Sequence, residues 1–144
     1  MSEGFTHTRD TPPAGKSNSI LDHFCINVTP NLYPTVITFY EATLASIGIS
    51  KHLDYGVAAG FGTSAHDSPF WIAQREDAGE AKLHFAFQAK SHEEVVKWYD
   101  AAIKAGGKDN GKPGIREMYH PNYYAAFVVD PAGNNIEIVD HVAH

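Results

Sequence analysis

The sequence predicts an α+β fold built from a duplicated module of one strand, one helix and several further strands. Three observations predict it. The segments His23-Phe-Cys-Ile-Asn-Val28 and His84-Phe-Ala-Phe-Gln-Ala89 align at a shift of 61 residues. The helical segments Phe39-Tyr-Glu-Ala42 and Trp98-Tyr-Asp-Ala101 follow them at a shift of 59, and Gly48 and Gly107 come after both at that same shift. Two copies make a duplicated unit, not a solenoid.

The elements follow in order. Residues 1–19 are polar and rich in Pro, Gly and Ser, and read as a tail without fixed structure. Leu21 to Val28 alternates as a strand, with Phe24, Ile26 and Val28 on one face and His23, Cys25 and Asn27 on the other. Thr29-Pro-Asn31 breaks it, and Pro34 suits the first turn of a helix. Val36, Ile37, Phe39, Tyr40, Leu44 and Ile47 recur at helical spacing, and Gly48 supplies a stop. Three short strands are expected next, at His52–Val57, Ala59–Gly62 and Pro69–Gln74, before the charged linker Arg75–Gly79.

The second module opens at Leu83–Ala89. Leu83, Phe85 and Phe87 share one face there, and His84, Ala86 and Gln88 share the other. Ser91-His-Glu-Glu94 has the pattern of a capping box, opening a helix that ends at Gly106-Gly107. Lys108 to Asn122 reads mostly as loop, and Tyr123–Val129 as a strand. Asp130-Pro-Ala-Gly-Asn134 is a tight turn, with Pro131 presetting one angle, Gly133 taking a positive φ and Asn134 tolerating one. The last strand carries Ile136, Ile138 and Val139, with Glu137 on the opposite face from the two isoleucines.

A chain of 144 residues fits one domain, here 20–144, with module one at about 20–75 and module two at about 82–141. The formal net charge of −6, with no Lys/Arg cluster, argues against nucleic-acid or anionic-membrane partners. One Cys excludes an internal disulfide. No apolar run approaches a membrane span. Met1–Asp10 lacks the apolar core of a secretory signal, so the cytoplasm is the expected location.

Each helix needs an apolar sheet face to cover, and Phe24, Ile26, Val28, Leu83, Phe85, Phe87, Ile136 and Ile138 provide it. His23, His84 and Glu137 then project from the uncovered side. A strand glutamate is costly to desolvate without a partner. Two imidazoles and a carboxylate suit one divalent ion of the Zn, Fe, Ni, Mn or Co group, with positions left open for substrate. The plainer alternative is two histidines in a wet groove and an ordinary ion pair at Glu137.

These residues resemble the vicinal oxygen chelate superfamily of glyoxalase I, bleomycin-binding proteins, fosfomycin-resistance proteins and extradiol dioxygenases. His84-Phe-Ala-Phe87 and Asp130-Pro-Ala-Gly-Asn-Asn-Ile-Glu137 carry the resemblance most specifically. Tyr119-His-Pro-Asn-Tyr-Tyr-Ala-Ala-Phe127 is similar to a glyoxalase-like subgroup. The resemblance implies two tandem βαβββ modules forming a curved, mostly antiparallel eight-stranded sheet with helices on its convex face. It implies metal ligands at His23, His84 and Glu137, a small-molecule substrate and a homodimer. Glyoxalase I adds a carboxylate on the fourth strand, where this chain has Trp71. That departure separates it from lactoylglutathione lyases and brings it nearer the three-ligand dioxygenase and fosfomycin-resistance patterns.

The expected function is a metal-dependent enzyme that chelates a small oxygenated molecule and stabilises an oxyanion. Lyase, isomerase and dioxygenase chemistry all stay open. The alternative is a non-catalytic protein that sequesters a small molecule, as bleomycin-resistance proteins do. Glu137 is the candidate base, with His120 or Tyr124 moving protons. Cys25, Asn27, Trp71, Gln88, Arg116, Tyr119 and Tyr123 are candidate pocket residues. Against these stand a buried packing role for Cys25, a core role for Trp71 and a solvated loop position for Arg116.

Overall fold

The computed structural model describes residues 20–80 and 82–144. The tail expected over residues 1–19 lies outside them. The element order is β1 (Phe24–Val28), α1 (Tyr33–Ala45), β2 (Ser50–Asp54), β3 (Ala58–Gly62), β4 (Phe70–Gln74), β5 (His84–Gln88), α2 (His92–Lys104), β6 (Lys108–Ile115), β7 (Tyr124–Val129) and β8 (Asn135–Asp140). Both modules are thus βαβββ. The eight strands are hydrogen-bonded as two sheets of four, β1-β4-β3-β2 and β5-β8-β7-β6. In each sheet the first and last strands of the module pair in parallel and the remaining pairs are antiparallel.

The duplication is visible in the register. Cys25 pairs with Trp71, and Ala86 pairs with Glu137, which makes Trp71 the counterpart of Glu137. The inner faces of both sheets enter one core with the helices. Phe24, Phe70, Phe85 and Phe87 interlock there, with Phe24 and Phe85 5.1 Å apart between ring centroids. Helix α2 lies against β6, β7 and β8, helix α1 against β2 and β4, and the two helices touch.

Local chemistry sets the ends of the elements. Pro34 sits in the first turn of α1, and Gly48 follows the helix with φ +77°. At α2, Ser91 Oγ accepts the Glu94 backbone N–H at 3.1 Å, and Glu94 Oε2 accepts the Lys90 N–H at 2.7 Å. The glutamate therefore reaches one residue further back than in the usual box. Ser91→Ala is expected to cost about 1 kcal/mol of stability, read as a shift in the denaturant midpoint.

Three details differ from the sequence reading. The strand expected at His52–Val57 is Ser50–Asp54, because Gly56 turns the chain with φ +83°. Lys108–Ile115 is a strand, although its glycines and Pro113 suggested a loop. Its pairing with β7 shifts register twice, between Asp109 and Gly111 and between Gly111 and Gly114. Asn134 does not take a positive φ; only Gly133 does, at +92°.

The turn before β8 is fixed by Asp130, which is 4% exposed. Its Oδ1 accepts the N–H groups of Ala132 and Asn134 at 2.9 and 2.8 Å. Its Oδ2 accepts the Asn134 side-chain amide at 2.9 Å and the Tyr40 hydroxyl from α1. Asn134 Oδ1 in turn accepts the Leu83 N–H at 3.0 Å. One buried carboxylate thereby ties the first helix, the turn and the start of β5 together. No helix among the described residues is long and apolar enough to cross a membrane.

Candidate functional site

Alternation in β8 sends Ile136 and Ile138 into the core and Glu137 to the side away from the helices. Glu137 is nonetheless only 3% exposed. Its partners come from three places. Glu137 Oε2 accepts the Tyr123 hydroxyl, presented by the residue just before β7. His84, near Glu137 through the β5–β8 pairing, brings Nε2 to 3.1 Å from Oε1. Phe127 is the direct cross-strand partner of Glu137, and its ring lies 6.2 Å from the His84 ring at 21°.

The tautomer of His84 follows from geometry. Its Nδ1 lies 2.9 Å from the Asn135 carbonyl oxygen, which only accepts, so Nδ1 carries the proton. Nε2 then faces a carboxylate oxygen, as an N–H donor in an ion pair when the ring carries both protons and as a lone pair when it carries one. Two electron-pair donors at this distance repel unless a proton or a cation lies between them. Two ligand atoms each about 2.1 Å from one tetrahedral or octahedral ion stand roughly 3.0–3.4 Å apart, so the pair fits a shared metal. A backbone carbonyl holding the far nitrogen of a ligand histidine is the usual supporting arrangement.

The loop between β6 and β7 packs around Tyr123. The Tyr119, His120 and His141 rings lie 4.9, 5.3 and 5.1 Å from it. His120 Nδ1 accepts the Asn122 N–H at 3.1 Å, so its Nε2–H donates to His141 Nδ1 at 2.9 Å. Burial first, then the hydrogen bond to Glu137 and that residue's charge, push the Tyr123 phenol well above its ordinary value. It stays protonated and donates. Arg116 opens the same loop, with its guanidinium 5.5 Å from the Phe127 ring centroid.

The first module presents a different pocket, of about 350 Å³, lined by Asp22, His23, Cys25, Leu53, Ser68 and Trp71. His23 Nδ1 lies 2.6 Å from Asp22 Oδ2. Trp71 donates Nε1–H to the Ser68 carbonyl at 2.8 Å and stacks on Tyr55 at 6.0 Å and 7°. A Cβ at Gly60 would come within 2.7 Å of the Trp71 ring, so only glycine lets the indole lie flat on β3. Cys25 is exposed on this face, contrary to the packing role weighed from sequence. Desolvation, the largest influence on it, holds its thiol above the ordinary value, which keeps it a weak nucleophile.

Within one chain the structure brings together His84, Glu137, Tyr123 and the loop that carries Arg116, Tyr119 and His120. His23 stays in the first module's pocket with Cys25 and Trp71. Among the described residues, no three His, Cys, Asp or Glu side chains stand together to hold an ion. The reason is the core. Phe24 and Phe85, each one residue after its histidine, turn inward and meet, so His23 and His84 both face outward from the packed modules.

Gln88 is exposed on the His84 side of β5. Asn27 lines a separate cavity of about 800 Å³ beside the linker, with Arg75 and Lys82. Tyr124 does not reach the site. It pairs with Asp140 on the helix side of the sheet, where the His92 ring stacks on it at 3.8 Å. Beginning the strand at Tyr123 left open which of two adjacent tyrosines faces Glu137; pairing in register with β8 decides it. Sequence reasoning missed Phe127 and Tyr55. For Phe127 the signal was present, since it alternates with Ala125 and Tyr123 on one face. For Tyr55, beyond the end of β2, there was none.

No curated protein matches the chain in sequence. Among solved structures, it is similar to a glyoxalase/bleomycin resistance protein from Albidiferax ferrireducens T118, at 25% identity and TM-score 0.71, over 86% of this chain and 100% of that one. A glyoxalase/bleomycin resistance protein/dioxygenase family enzyme from Burkholderia phytofirmans PsJN shares the fold, at 19% identity and TM-score 0.65, over 85% and 98%. So does a lactoylglutathione lyase from Agrobacterium tumefaciens, at 20% and 0.58, over 90% and 96%. The family model described as the Glyoxalase/Bleomycin resistance protein/Dioxygenase superfamily matches residues 20–138, and with the paired βαβββ modules this establishes that the chain belongs to that superfamily.

Proposed function

We propose that the protein is a metal-dependent enzyme acting on a small oxygenated molecule, with His84 and Glu137 holding a divalent ion and His23 of a second copy completing the ligand set. The observation that carries the reading is the position of His84 Nε2, 3.1 Å from Glu137 Oε1, with the ring's other nitrogen held by a carbonyl. Nitrogen and oxygen donors of this kind suit Zn, Fe, Ni, Mn or Co.

When bound, the ion would act as a Lewis acid on paired substrate oxygens. The chain's own residues have separate tasks. Asn135 fixes the His84 ring, and Tyr123 holds Oε2 of Glu137 so that only Oε1 faces His84. Phe127 walls the site on one side. His120 lies one side chain away from Glu137, through Tyr123, and would exchange a proton with solvent by way of His141.

The outward-facing pockets support a dimer. A two-fold pair would set the first module of one copy against the second module of the other and form two equal sites. Purified protein should contain metal, and a chelator should lower its melting temperature. Negligible metal with no response to added zinc, cobalt or iron would remove the basis of the reading. Tyr123→Phe should weaken metal binding roughly 10–100-fold in a calorimetric titration with no change in the circular dichroism spectrum, as loss of a ligand's supporting partner usually does.

A second reading is sequestration without catalysis. The flat Tyr55–Trp71 pair beside the first module's pocket favours it, because such a surface takes an aromatic molecule. Ligand-induced thermal stabilisation that persists in chelator would favour sequestration over the enzyme.

A further inference from the structure

We infer that Arg116 is a fixed anion receptor, and that the small molecule bound beside His84 and Glu137 carries a negatively charged group such as a carboxylate. This rests on the functional reading above and names the substrate class of the same site.

The guanidinium is built into place. Its Nη1 donates to the Gly114 carbonyl at 2.8 Å and its Nη2 to the Lys112 carbonyl at 2.7 Å. The Arg116 backbone N–H is bonded to the Tyr123 carbonyl at 2.7 Å, and its carbonyl accepts the Tyr119 N–H at 3.0 Å. The charge lies over Phe127, the same ring that neighbours His84. Two glycines clear the space. A Cβ at Gly111 would stand 3.2 Å from Nη2 and 2.9 Å from Phe127, and one at Gly114 would stand 3.1 Å from Nη1. The broken register of β6 is thus the form a strand takes when it wraps a guanidinium.

Pinning an arginine gives up side-chain freedom, and an ion pair normally offsets that loss. Here none does. Among the described residues no carboxylate pairs with Arg116, although the chain carries 17 Asp and Glu residues against 11 Lys and Arg. Two carbonyls take two of the five guanidinium N–H groups. The other three have no hydrogen-bond partner among the described residues, and the planar N–H edges of a guanidinium match a carboxylate, a phosphonate or a phosphate. Across the strand order β5-β8-β7-β6, Phe127 lies between this cation and the Glu137–His84 pair, its ring 5.5 Å from the guanidinium and 6.2 Å from the His84 ring, so a molecule lying along that ring would reach from those N–H edges towards the pair.

The test uses two probes that share a pair of vicinal hydroxyls and differ in charge: catechol and 3,4-dihydroxybenzoate. Their dissociation constants are measured on the full chain with zinc and again in chelator. The expected result is a roughly 10- to 100-fold preference for the acid, the usual worth of a charge-assisted hydrogen bond. Arg116→Gln should erase that preference, and Arg116→Lys should keep part of it. Equal affinity for the two probes in the wild type, a preference that survives Arg116→Gln, or no binding of the acid would each overturn the inference. Acid preference without any zinc dependence would uphold the receptor and count against the metal reading instead.

Discussion

His84→Ala is expected to lower affinity for zinc or cobalt by more than the roughly 10–100-fold that losing a ligand's supporting partner costs, and to leave the fold intact. In the proposed site the imidazole would supply one of the two donors that each chain brings, so little would remain to bind an ion with. The protein should tolerate the change, because His84 lies on the exposed face of β5 and outside the core. One stability effect runs the other way. Glu137, only 3% exposed, loses the partner of Oε1 and keeps only the Tyr123 hydroxyl on Oε2. A fall in metal affinity with a melting temperature within a few degrees of wild type is the signature of a ligand. Unchanged affinity would mean that the His84–Glu137 contact is an ordinary ion pair with a protonated imidazole. Titration calorimetry on the metal-stripped protein reads the difference directly.

The largest expected stability effect is at Phe70. Its side chain is 2% exposed and meets Phe24, Tyr40, Phe61, Phe85 and Phe87, at centroid distances of 4.8–5.9 Å. Those partners come from β1, α1, β3 and β5, so the ring joins both modules. Phe70→Ala should destabilise by about 3–5 kcal/mol, the usual cost of removing a fully packed phenylalanine, because rings fixed in two sheets cannot collapse into the gap. Chemical denaturation would measure it. A loss under about 1 kcal/mol would mean that the modules are held together chiefly by something other than this aromatic cluster.

The fold was legible because the duplication was. The two His-led strands, the helical spacing of Val36 to Ile47, the Ser91 cap and the Asp130–Asn134 turn each state their element locally. Asp130 shows where that stops, since the sequence marks the turn but not the Tyr40 hydroxyl that reaches it from the first helix. Strand β6 was hidden because glycine and proline argue for loop on average. Here they make room for a side chain five residues downstream of Gly111.

The site was legible in part. Alternation put His84 and Glu137 on one side, and neighbouring strands bring them together. His23 obeys the same alternation, yet alternation says which side of its own sheet a residue occupies, not how two sheets pack. Phe24 and Phe85 settle that by meeting in the core. Arg116 was weighed both as a binder of an anionic substrate and as a solvated loop residue, because its anchors are backbone carbonyls, which no side-chain pattern reveals.

The central claim is that His84 and Glu137 of one copy share an ion with His23 of another. Co-expressing a His23→Ala chain with a Glu137→Ala chain tests it most directly. Each variant alone lacks a ligand at every site, whereas the mixed dimer restores one complete set. The account predicts about one tightly bound metal per purified heterodimer and almost none in either parent. A heterodimer that binds no more metal than its parents would contradict it.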